Sequence, residues 1–152
     1  MIRWISKLRG DERGTSIIEM GLAVPFLAAL MIGTVDLSRA YSEKLHLEQA
    51  AQRAIERVMQ NQGSASTTGA IRAEAAEAAG VSPTAVTVDP WLECNGVRQA
   101  DYNSSCPEGQ TYARFLQVSV QKTFTPMFKM RFAGSNPDGS FTLVATAGIR
   151  TQ

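Results

Sequence analysis

The chain has 152 residues and a formal net charge of +1. That length gives one small domain beyond a membrane anchor rather than two sizeable ones. The near-zero net charge carries no global footprint of a nucleic-acid binder.

The N-terminal stretch MIRWISKLRGDERG carries Arg3, Lys7, Arg9 and Arg13 against Asp11 and Glu12. Its net charge is +2, which leaves −1 for the remainder. An apolar run follows from Ile17 to Val35, IIEMGLAVPFLAALMIGTV, whose only ionisable residue is Glu19. As a helix it spans roughly 28 Å, close to the hydrocarbon core of a bilayer. The run exceeds the apolar region of an ordinary secretory signal, and no small-residue cleavage site follows it, so a retained anchor is expected. The basic flank puts the N-terminus in the cytoplasm and the bulk of the chain outside it. A carboxylate in such a run costs roughly 2.5–3.5 kcal/mol on insertion scales, so Glu19 asks for a use. Its bland alternative is a side chain that reaches the headgroups near the cytoplasmic end. Gly21 and Pro25 weaken the helix of the span, and the Ala29–Gly33 spacing is common in apolar runs and carries little.

Helical character continues past the span, through DLSRAYSEKLHLEQAAQRAIERVMQNQ. Ala40, Leu47, Ala51, Ala54 and Val58 form a narrow apolar stripe suited to packing within the chain. Lys44 with Glu48, and Arg53 with Glu56 and Arg57, lie at helical neighbour spacings on the other faces. His46 is expected on the helix surface. Gly63, in the polar stretch GSAST, is expected to end the helix. A short alanine-rich helix should follow, capped by Thr67 or Thr68 and stopped at Gly80.

From Val81 the pattern turns to strands. Thr84–Asp89 alternates, as does Phe115–Phe124, with Phe115, Gln117, Ser119 and Gln121 on one face. Phe141–Ile149 is a third strand, entered through the turn residues SNPDGS. Between the first two strands, DPWLECNGVRQADYNSSCPEGQ reads as a polar loop that holds Cys94 and Cys106, the only cysteines. In an oxidising compartment this pair is expected to form one disulfide. Trp91 and Tyr102 are expected to form the small core of that loop. Its acidic residues Asp89, Glu93, Asp101 and Glu108 read as a solvated surface rather than calcium ligands.

The fold class expected is therefore α+β: a long N-terminal helix, a short second helix and a small antiparallel sheet with a disulfide-tied loop. The expected organisation is a leader over 1–14, a transmembrane segment over 15–36, its soluble helical continuation over 37–62 and an α+β domain over 63–152. No catalytic residue, metal site or cofactor is expected, because no nucleophile, zinc or phosphate-loop motif occurs. Arg114, Lys122, Lys129 and Arg131 place positive charge near the later strands, but they lack the aromatic-basic pattern of a single-strand nucleic-acid binder.

The stretch RGTSIIEM, a glycine followed at the fifth residue by glutamate within an apolar run, resembles a type IV prepilin processing site of the tight-adherence (Flp) kind. With the long helix, FLQVSVQKTFTPMF and the terminal FTLVATAGIR, the chain resembles TadE-like minor pseudopilins. Met20 stands where major Flp pilins carry an aromatic residue. The large soluble part also argues against a major filament subunit. The resemblance implies cleavage by a prepilin peptidase between Gly14 and Thr15, making Glu19 the fifth residue of the mature chain. It further implies that Glu19 pairs with the new Thr15 amine of a neighbouring subunit. The implied partners are the membrane, the peptidase, other pilins or pseudopilins and inner-membrane assembly proteins. The implied location is the bacterial inner membrane, with the C-terminal domain in the periplasm or carried into a pilus. The competing reading is an unprocessed, membrane-anchored periplasmic binding or sensing module, distinguished from the first by its N-terminus.

Overall fold

The structure is a computed structural model that describes residues 12–60, 68–129, 131 and 133–151. The chain divides into two compact units, Met1–Ser38 and Arg39–Gln152. Helix α1 (Glu12–Gln60) is a single 49-residue element that supplies the described part of the first unit and opens the second.

Between Ile17 and Val35 the helix is apolar on all sides apart from Glu19, and Ile17, Leu22, Phe26, Leu30 and Met31 are all exposed. A helix apolar all round needs either a protein core or lipid around it. Among the described residues this is the one helix long and apolar enough to cross a membrane. Pro25 lies inside it. Lacking an N–H, Pro25 gives the Gly21 carbonyl no helical donor. Thr34 turns its hydroxyl back onto the Leu30 carbonyl at 2.8 Å, so that group stays bonded within the helix.

The second unit is a layer of helices on a four-stranded antiparallel sheet. Helix α2 (Thr68–Ala79) follows α1. The strands are β1 (Val86–Cys94), β2 (Val97–Arg98), β3 (Tyr112–Phe124) and β4 (Phe141–Arg150), in the spatial order β2-β1-β3-β4. Alternation decides the faces. Leu116, Val118 and Val120 of β3 are fully buried, with Val86 and Val88 of β1 and Ala145 of β4 beside them. Against this face pack Leu47, Ala50, Ala51, Ala54, Ile55 and Val58 of α1 and Ile71, Ala75, Ala76 and Ala79 of α2. Ala75, Ala76 and Ala79 let the α2 backbone approach the sheet closely. Arg57 of α1 reaches Glu74 of α2 at 2.8 Å, while Lys44 and Glu48 form the expected pair along α1 at 3.9 Å.

Gly80 stops α2 as expected, in the left-handed region at φ +62°. Its N–H donates to the Glu77 carbonyl and that of Val81 to the Ala76 carbonyl, the paired bonds of a Schellman ending. The expected breaks at Gly63 and the cap at Thr67 lie outside the described residues. His46 is exposed on α1.

Strand boundaries differ from the sequence reading at several ends, beginning with β1, which starts at Val86 because the expected Thr84 lies in a 3-10 turn over Pro83–Ala85. β1 runs on from Asp89 to Cys94, and the expected polar loop begins as a hairpin: Asn95 and Gly96, both at positive φ, join β1 to β2. An Asn-Gly pair is the favoured two-residue turn for the twist of a hairpin. Pro90 is tolerated because β2 pairs only with Glu93 and Cys94, so β1 is an edge strand where Pro90 stands. β3 correspondingly begins at Tyr112, and its Leu116 faces Pro90 in the register.

Candidate functional site

Three groups of residues carry the functional expectations, and each is described within its own unit. The first is the N-terminal part of α1. Gly14 and Thr15 lie in the first turn of the helix as described, and Glu19 follows one turn after Thr15. Residues four apart stand above one another on a helix face. Glu19 is exposed, as are its apolar neighbours Ile18 and Met20.

The second group is the disulfide hairpin. Cys94 and Cys106 are bonded, with Cα atoms 5.6 Å apart, so the expected pairing is present. Cys94 ends β1 opposite Tyr112 of β3, and the bond ties the returning segment to the sheet. That segment covers Leu92, which is 1% exposed yet lies apart from the main core. Ser104, Ser105, Cys106, Gln110, Tyr112 and Arg114 complete the lining of an open cavity of about 230 Å³ over Leu92. Asn95 organises the base: its backbone N–H donates to the Thr111 carbonyl, and its side-chain carbonyl accepts from both the N–H and the hydroxyl of Thr111.

Trp91 is not part of a core inside this loop. It stands half-buried on the outer face of the sheet, stacked on Phe115 at 5.1 Å between ring centroids. Arg98 lies over the Trp91 ring at 4.9 Å while holding both carboxylate oxygens of Asp89 at 2.8 Å. The indole N–H donates to Glu93. Tyr102 is likewise half-buried, with the Arg114 guanidinium 5.4 Å from its ring centre. Two of the loop's four acidic residues are thus engaged by β-strand partners, and Asp101 accepts the Asn103 N–H to close a turn.

The third group lies where β3 ends beside the start of the second unit. Lys122 bonds Glu43 of α1, and Arg39 stands 5.9 Å over the Phe124 ring. These residues, with Ser42, Thr123 and Thr125, line an open cavity of about 440 Å³. Sequence reading missed this contact, which needs the antiparallel placement of β3 against α1. Of the four basic residues grouped in the sequence, Arg114 and Lys122 are engaged separately, so they do not form one patch with Lys129 and Arg131.

The long helix has an exposed apolar first part, and its second part packs on the sheet. Comparison with known families turns on that helix. Residues 14–55 match the TadE-like protein family. The match begins at Gly14 and ends within α1, so α2 and the strands lie outside it. It is the family that RGTSIIEM resembles, while the strand phrases fall beyond the matched residues. No match was found among curated proteins or among solved structures.

Proposed function

We propose that this protein is a minor pseudopilin of a tight-adherence pilus, anchored in the inner membrane by the apolar part of α1. The observation that carries the reading is the TadE-like match over residues 14–55, the stretch that holds the processing motif, the span and the start of the packed helix. In this reading residues 1–14 are a cytoplasmic leader and the second unit lies on the periplasmic side. Residues 15–36 form the transmembrane segment, and 37–62 continue the helix out of the membrane. A prepilin peptidase cuts between Gly14 and Thr15. Glycine at the cut leaves the backbone open to approach once the first turn of the helix unwinds.

The cut frees an ammonium on Thr15 in a setting of low dielectric. Glu19 of a neighbouring subunit, itself costly to leave alone in lipid, neutralises it. The pair sets the axial register of one helix against the next. The soluble unit then serves as the part that distinguishes this subunit from small filament pilins: it helps nucleate, cap or diversify the filament. Inner-membrane assembly proteins and other pilins are the partners this implies.

The test is substitution of Glu19. Glu19→Ala removes a charge from the span and leaves membrane insertion and at least part of the processing intact. Glu19→Gln keeps the length but cannot neutralise an ammonium. Both variants, processed and membrane-embedded, are expected to lose co-purification with partner pilins. Co-purification at wild-type levels would reduce Glu19 to a side chain that merely reaches the headgroups.

A further inference from the structure

The connection from β3 to β4 carries an exposed apolar pair in a place set by α1. Strand β3 runs antiparallel to the helix: Lys122 meets Glu43, and two residues later Phe124 meets Arg39. Two strand residues advance about 6–7 Å, and the four helix residues from 43 back to 39 advance about 6 Å, so strand and helix descend together. The strand is therefore heading for the end of the second unit from which the apolar run departs. Arg39 is four residues beyond Val35, at most about 14 Å of chain in any conformation.

Beyond Phe124 the chain passes through Thr125 and a buried Pro126 to Met127 and Phe128, which are 63% and 56% exposed. Lys129 and Arg131 come next, both exposed. The position of this tip is fixed from behind. Gly139, at φ +79°, lies so close to Lys129 that a Cβ there would stand 3.3 Å from its backbone Cα and carbonyl carbon and 3.2 Å from its Cβ. The turn around Gly139 is itself held by the Ser140 hydroxyl, which bonds Asp138 at 2.7 Å and Asn136 at 2.8 Å. On α1, Tyr41 and Leu45 are exposed just beyond the span. Exposed Met and Phe followed by basic residues make the composition of an interfacial contact: apolar groups enter the headgroup–acyl boundary and cations meet lipid phosphates. At the tip itself, Lys129 and Arg131 outnumber Asp138, the carboxylate that Lys129 acts on.

We propose that Met127 and Phe128 insert into the outer leaflet of the bilayer that α1 crosses, with Lys129 and Arg131 on anionic lipid phosphates. The soluble unit thereby holds a second, shallow grip on the membrane. The inference rests on the reading of α1 as the anchor, and the test separates the two. Full-length protein, with the Cys94–Cys106 bond verified by mass, carries one additional cysteine labelled with an environment-sensitive fluorophore, NBD. It is placed in nanodiscs whose lipids bear a quencher near the headgroups or along the acyl chain. The three labelled variants are Leu30→Cys, Phe128→Cys and Met59→Cys, each at an exposed position.

The expected result is strong quenching at position 30 by acyl-chain quencher, strong quenching at 128 by headgroup-proximal quencher and none at 59. Quenching at 30 with none at 128 overturns this inference and leaves the anchor standing. No quenching at 30 overturns the anchor and the inference together. Quenching at 59 equal to that at 128 also overturns it, since the contact would then not be local. Adding phosphatidylglycerol to zwitterionic discs is expected to deepen quenching at 128, and Lys129→Glu with Arg131→Glu to abolish that gain. An unchanged signal overturns the role given to the two cations.

Discussion

Breaking the Cys94–Cys106 bond is expected to cost the folded second unit about 3 kcal/mol. The bond closes a loop with a sequence separation of 12. For a loop of that size the chain-entropy relation gives about 3 kcal/mol at 25 °C. Further loss arises in the native state, because the tethered segment covers Leu92 and few other bonds hold it. Asn95 pins Thr111 at its far end, while the Asn103 and Ser104 bonds lie within the segment itself. Cys94 is buried at the end of β1, so Cys106→Ser is the gentler variant, with Cys94→Ala as its companion. With a urea slope of about 1–3 kcal/mol/M for a small protein, the midpoint should fall by about 1–3 M. The assay is urea unfolding of the full chain in mild detergent, followed by tryptophan fluorescence (Trp4 and Trp91) and far-ultraviolet dichroism, with and without reductant. Equal midpoints for the oxidised, reduced and Cys106→Ser proteins would refute the reasoning. They would mean that the segment is not part of the cooperative unit.

Leu116→Ala, at a fully buried site in the middle of β3 that faces both helices, is expected to lower stability by about 2–5 kcal/mol. Urea unfolding checks it, and a loss within experimental error would contradict the assignment of the core. Asp138 is held below the ordinary carboxylate range first by the side-chain bond from Ser140, then by the Ser140 backbone N–H. A depressed folded value stabilises the charged form, so its contribution is present above the unfolded value of 3.8 and is lost as pH falls through the folded one. Asp138→Asn should therefore be less stable than wild type at neutral pH, with the gap closing at acid pH below 3.8. A gap constant across that range would contradict the Ser140 contact.

The elements legible from the sequence are those whose periodicity is set by one buried face. Of the expected stripe, Leu47, Ala51, Ala54 and Val58 are buried as the spacing implies and Ala40 is only half-buried, while the structure widens the stripe with Ala50 and Ile55. Alternation likewise gave β3 its buried Leu116, Val118 and Val120 opposite Gln117 and Ser119. The misjudged region is 90–98, where local signals compete. Pro90 argues against a strand, and it is admitted only because β1 is unpaired on one side there, a tertiary fact. The Asn95-Gly96 turn signal was present but was submerged in a polar stretch, and recognising it would have placed Trp91 on a strand face instead of in a loop core. The contact of Arg39 and Glu43 with the end of β3 joins residues 79 apart at Lys122, and no spacing in the sequence encodes it. For Gly14, Thr15 and Glu19 the motif itself is the signal, since in the proposed reading their chemistry is realised against a peptidase and a second subunit.

The account stands most directly on the mature N-terminus. Protein isolated from its native membrane, with the cognate pilus system active, should give Thr15 as its first residue by N-terminal sequencing. Its intact mass should be lowered by residues 1–14, and Gly14→Val should preserve the full-length form. Wild-type protein that retains residues 1–14 under those conditions would contradict the processing and assembly reading, and would leave an anchored periplasmic module in its place.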